Sequence, residues 1–112
     1  MKIRTLLQPL TLALPCIAFC VAAPAWGKEY EVVQKNKSFM TKSLKIKVGD
    51  SIKFVNDDSF AHNLFSLSPA KSFDMGSFGS GQTRSVVFDK PGKIEVECSV
   101  HPDMMLEVEV AP

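Results

Sequence analysis

No run of like charges interrupts this chain of 112 residues, in which 13 Lys and Arg stand against 12 Asp and Glu. That balance gives no footing for nucleic acid or an anionic membrane surface as partner, since both require clustered positive charge. A convincing helical stripe is missing too, as are internal repeats and linkers. A helical bundle and a second domain therefore drop out, and the length allows one domain. Histidine is scarce, with only His62 and His101. Cysteine is scarcer than its count of three implies, because Cys16 and Cys20 both lie in the first 25 residues.

That opening segment differs from the rest. Lys2 and Arg4 precede an apolar run from Leu6 to Ala22, broken only by Gln8, Pro9, Thr11 and Pro15, and Ala23-Pro24-Ala25-Trp26-Gly27 follows. A basic start, an apolar middle and a small-residue end make the layout of a secretory signal peptide. A membrane anchor is the alternative, but the run is short for a bilayer span and carries prolines. Residues 1–25 are expected to be cleaved, after Ala25 by the A-x-A rule or after Gly27. Residues 28–112 then form a single exported, periplasmic domain. Pro15 before Cys16 and Phe19 before Cys20 are not the small residues that lipid attachment needs. Cleavage removes Lys2 and Arg4, leaving 11 basic against 12 acidic residues, a net charge of about −1.

Cys98 is then alone in an oxidising space. It has no internal disulfide partner, and a free thiol there is a liability, so its presence calls for a reason. A mature domain of roughly 85 residues buries only a modest core. Bound metal is one way to stabilise it.

After the leader, short alternating runs predict strands at Glu29–Val33, Leu44–Val48, Ser51–Asn56, His62–Ser66, Thr83–Phe88, Ile94–Cys98 and Leu106–Val110. Gly49-Asp50 and Asp89-Lys90-Pro91-Gly92 are turns by composition, and Asn56-Asp57-Asp58-Ser59 is a polar break. The Ser- and Gly-rich stretch 66–82 is expected to be a long connection with little regular structure. Period-2 patterning with frequent turns indicates an all-β antiparallel sandwich or barrel. Lys45, Lys47 and Lys53 read as a solvated face.

Cys98-Ser99-Val100-His101-Pro102-Asp103-Met104 holds three soft or borderline ligands within seven residues. If Ile94 and Val96 face the core, Cys98 continues that inward face. The loop leaves the sheet, and Leu106 resumes an inward face. The same parity favours Met104 over Met105 as the inward thioether. A second imidazole has to come from elsewhere, and His62 is the only one left. Copper suits this set: thiolate and thioether favour Cu(I), imidazole serves both oxidation states, and His₂Cys with a weak axial Met is an electron-transfer arrangement. Zinc with His₂Cys and water would leave the methionine unexplained. A haem attachment would need Cys-x-x-Cys-His, and calcium would need more clustered carboxylates than Asp57-Asp58.

Val48-Gly49-Asp50-Ser51-Ile52, Asn56-Asp57-Asp58, His62-Asn63 and Cys98-x-x-His101-x-x-Met104 together resemble the small cupredoxins, most of all the amicyanin, pseudoazurin and plastocyanin-like members. The resemblance spans roughly Phe39 to Val110. It implies a Greek-key β-sandwich with one type 1 copper per chain, held by His62, Cys98, His101 and axial Met104. It also implies that Asn63 ties the two ligand-bearing segments together. The spacing from His101 to Met104 is the amicyanin-like one, shorter than in plastocyanin. An apolar patch around His101, the ligand expected to be exposed, would dock larger redox proteins. A monomer is expected.

The function implied is single-electron transfer between redox partners. The alternative is a module for copper delivery or storage, which tends towards open, Met-rich sites, and Met104-Met105 lends it slight support. Catalysis by further copper centres would need further histidines, and no serine or cysteine nucleophile has a spare base. No enzymatic activity is expected.

Overall fold

The computed structural model describes residues 27–112, so the expected leader, residues 1–25, lies outside the described residues. Alternating β-branched or aromatic residues and polar ones favour extended chain, because they pack well on a half-buried pleated surface. The strands are β1 (Glu29–Lys35), β2 (Ser38–Phe39), β3 (Ser43–Lys47), β4 (Ser51–Asn56), β5 (His62–Ser68), β6 (Lys71–Phe78), β7 (Thr83–Val87), β8 (Gly92–Glu97) and β9 (Met105–Ala111). No helix occurs among the described residues.

Two sheets result, ordered β2-β1-β4-β7 and β3-β9-β8-β5-β6. The chain changes sheet at β2–β3, β3–β4, β4–β5, β6–β7 and β7–β8, which gives the Greek-key sandwich expected from the resemblance. Two pairings depart from an antiparallel reading: β1–β4 and β3–β9 run parallel. Parallel neighbours cannot be joined by a tight turn, and in both cases the intervening chain passes through the opposite sheet.

The stretch 66–82 also differs from expectation. It holds the end of β5 and the whole of β6, which pairs antiparallel with β5 from His62↔Phe78 to Ser68↔Lys71. β6 is an edge strand, where small polar residues facing water are tolerated, and that composition hid it. Phe73 and Met75 pack half-buried against the core. A register shift follows, with Gly76 at φ 67°, and brings Phe78 inward.

The inner faces meet in one core. Val32, Ile52, Phe54, Val86 and Phe88 come from the four-stranded side. Ile46, Leu64, Ile94, Val96, Leu106, Val108 and Val110 come from the other. Each such side chain contributes about 1.5–3 kcal/mol by leaving water. One end of the sandwich is tied by the Asp50 carboxylate, which accepts the backbone N–H groups of Lys28 and Lys47, both at 2.8 Å. Gly49 beside it sits at φ 93°, a conformation that a side chain would strain. At the other end four inward positions converge: Asn56 closing β4, His62 opening β5, Cys98 following β8 and Met104 preceding β9.

Candidate metal centre

The loop that delivers His62 is organised by one buried amide. Asn56 Nδ2 donates to the carbonyls of Phe60 at 2.9 Å and Phe78 at 3.1 Å, while Asn56 Oδ1 accepts the Asp58 N–H at 2.9 Å. A buried polar group satisfied on both sides holds its loop in one conformation. His62 then enters β5 on the inward face, fully buried, in step with Leu64 and Ser66.

Cys98 continues the inward face of Ile94 and Val96, as the alternation predicted, and is buried. The chain turns at once. The His101 N–H donates to the Cys98 carbonyl at 3.3 Å, and the Met104 N–H to the His101 carbonyl at 2.9 Å. Asn63 straps this loop to β5: its Oδ1 accepts the Ser99 N–H at 2.7 Å and its Nδ2 donates to Ser99 Oγ at 2.6 Å. That is the link the resemblance implied.

Cys98 Sγ lies 3.7 Å from His62 Nδ1 and 3.9 Å from His101 Nδ1. The three donor atoms all fall within 4.8 Å of one another. Ligands at about 2.0–2.3 Å from a first-row metal stand about 3.7 Å apart around a trigonal centre, so the observed separations fit one ion between them. The donors are also right in kind, one soft and two borderline, the set that suits copper. Met104 is buried and Met105 is 40% exposed, so the thioether of the pair that faces inward is the one strand parity selected. Of the two imidazoles, His62 is enclosed and His101 half-buried. The His101 ring is held below its ordinary pKa, first by burial and then by its electrostatic coupling to His62 and Lys37, with Asp58 opposing.

Two residues here were not foreseen. Asp58, read from sequence as part of a polar break, is buried with its Oδ2 2.6 Å from His62 Nε2. Burial pushes its carboxyl pKa up, but hydrogen bonds from His62, Asn36 and Lys37 outweigh that and hold it below the usual carboxylate value. The only signal in the sequence was a carboxylate four residues ahead of a histidine. Phe60, 38% exposed, lies with its ring centroid 5.2 Å from His62 and 5.5 Å from His101. Its place over both rings depends on the loop that Asn56 folds.

A β-sandwich with one cysteine sulfur and two imidazoles converging at one end defines a small metalloprotein of the cupredoxin class. Residues 28–111 match the family model described as copper binding proteins, plastocyanin/azurin family. Methylamine utilization protein MauL of Methylorubrum extorquens is 31% identical over 112 residues, covering 99% of this chain and 98% of that one. Amicyanin-alpha of the same organism is 32% identical over 91 residues, covering 79% and 75%. The solved amicyanin of Paracoccus versutus has a TM-score of 0.69 at 22% identity, covering 74% of this chain and 81% of that one, and shares the fold. The chain belongs to the plastocyanin/azurin family of copper-binding proteins. Copper is its cofactor, and single-electron transfer rather than catalysis is its function.

Proposed function

We propose that this protein carries single electrons between larger redox proteins in the periplasm, through one copper that His62, Cys98 and His101 would hold with Met104 as the fourth, weaker ligand. The observation that carries this reading is the meeting of Cys98 Sγ with two histidine Nδ1 atoms at 3.7 and 3.9 Å. When bound, copper supplies the one-electron couple that the side chains themselves lack. Cys98 contributes the soft thiolate. The Asn63 strap and the Asn56 loop hold the donors in one arrangement in both oxidation states, which keeps the rearrangement on electron transfer small. Phe60 shields both imidazoles from water.

His101 is the way in and out for the electron. It is half-buried where His62 is enclosed, and Phe60 and Val100, 60% exposed, give the surface beside it an apolar character suited to docking. The chain works as a monomer and exchanges electrons there. The relative named for methylamine utilization makes the redox enzymes of amine oxidation the first partners to test. Delivery or storage of copper fits less well, since Met104 is buried rather than offered on an open surface.

A visible spectrum of the copper-loaded protein tests the reading. One copper per chain with an intense thiolate band, lost in Cys98→Ser, is the expected result. A colourless protein that holds only Cu(I) would overturn it in favour of delivery.

A further inference from the structure

The carboxylate of Asp58 is bound from three directions. The Asn36 N–H donates to Oδ1 at 2.7 Å, the Lys37 N–H to Oδ2 at 3.2 Å, and His62 Nε2 lies 2.6 Å from Oδ2. Asn36 and Lys37 form the turn between β1 and β2, and both have positive φ, 54° and 59°. Successive amides in such a conformation point the same way and make a small anion-binding concavity. A side chain other than glycine rarely adopts positive φ, and here two adjacent ones do so where their amides grip Asp58. Asn56 Oδ1 fixes the backbone of Asp58 from the opposite side. The carboxylate is therefore held by groups of the protein itself.

Its effect on His62 follows from the ring's two nitrogens. An ionised carboxylate only accepts hydrogen bonds, so the nitrogen facing it must carry the proton. In the neutral ring that leaves Nδ1, the atom 3.7 Å from Cys98 Sγ, as the nitrogen with a free lone pair. Charge on the carboxylate also makes the imidazole a stronger donor, and such outer partners alter metal affinity by about 10- to 100-fold.

We propose that Asp58, gripped by the Asn36–Lys37 turn, is a positioning residue that holds His62 as its Nε2–H tautomer and raises its donor strength towards the oxidised metal. The proposal rests on His62 being a copper ligand as read above, but its first consequence needs no copper. The β1–β2 turn, distant in sequence from every ligand, thereby becomes an outer part of the site.

Nitrogen NMR of the metal-free protein at about pH 8, where an ordinary histidine is neutral, reads the tautomer directly. Wild type should show His62 as a single Nε2–H form, and Asp58→Ala should show a tautomer mixture. Asp58→Asn, whose amide oxygen can still accept from Nε2–H, should keep the tautomer but lose the charge. In the copper-loaded protein Asp58→Asn should therefore bind Cu(II) about tenfold more weakly relative to Cu(I). The reduction potential would then rise by about 59 mV, the tenfold step for one electron. Asp57→Asn is the control: that neighbouring carboxylate is 59% exposed and pairs with Lys35 at 3.5 Å, and its loss should leave the potential in place. A Nδ1–H tautomer in the metal-free wild type would overturn the proposal, as would equal potential shifts in Asp57→Asn and Asp58→Asn. If instead the tautomer behaves as stated but copper does not bind at His62, the ligand assignment fails and the dyad stands.

Discussion

The strap between Asn63 and Ser99 offers a quantitative test of how the two ligand-bearing segments are joined. Asn63→Ala removes both bonds, 2.7 Å to the Ser99 N–H and 2.6 Å to Ser99 Oγ, while Ser99→Ala removes only the second. A hydrogen bond contributes about 0.5–1.5 kcal/mol net, and both bonds lie in an exposed setting, which favours the lower half of that range. Asn63→Ala should thus cost about 1–2 kcal/mol and Ser99→Ala about half as much. With an unfolding entropy of about 2.1 cal/mol/K per residue over roughly 85 residues, the melting temperature of the metal-free protein should fall by about 5–11 °C and 3–6 °C respectively. The double variant should melt where Asn63→Ala does, because the hydroxyl has no partner once the amide is gone. Thermal unfolding by circular dichroism measures all three, and amide exchange at Ser99 should quicken only where Asn63 is lost. Additive costs in the double variant would mean that the two side chains act separately and that the strap is not what joins the segments.

Met104→Leu should shift the reduction potential while Met105→Leu leaves it nearly unchanged, because Met104 is buried at the strand start and Met105 faces water; voltammetry of the two variants decides it, and the reverse pattern would swap the assignment. The metal-free protein should lose stability in two separate ranges as pH falls. His101 has a folded pKa below its ordinary 6.5, so below that pH the unfolded chain binds a proton the fold resists, and stability declines. Asp58, held below 3.8, contributes stability above that value which disappears as pH falls through its lower folded pKa. Denaturant titrations from pH 8 to 3 measure both, and His101→Gln should remove the first decline alone. The intact mass of the exported protein should correspond to a start near Trp26 or Lys28, and recovery of residues 1–25 in a membrane fraction would refute cleavage.

Much of the site was legible in one dimension. The parity of Ile94, Val96 and Cys98 carried through to the structure because strand period 2 is a local property of extended chain, and the same parity separated Met104 from Met105. His62 came forward as a candidate by elimination, since the sequence holds no third histidine, and the structure brings its ring beside Cys98. Strand β6 could not be read this way. Its apolar positions slip by one residue at Gly76, and its edge position lets serines replace the alternation that reveals inner strands. The parallel pairings of β1 with β4 and of β3 with β9 were equally hidden, because pleat alternation is the same whichever way the neighbour runs.

The amino-acid order by itself determined which donors are available and that Cys98 and Met104 continue the inward faces of the strands beside them. Only the tertiary structure decided what surrounds them. Asp58 reaches His62 across a loop shaped by Asn56, and it is gripped by amides 21 and 22 residues away whose positive φ the sequence does not announce. Those contacts arise when β1 and β4 pair side by side, in the register that sets Gln34 against Asn56. Ligand identity is written locally because coordination depends on residue type and spacing. The environment that tunes a ligand comes from segments that meet only after the sheets close.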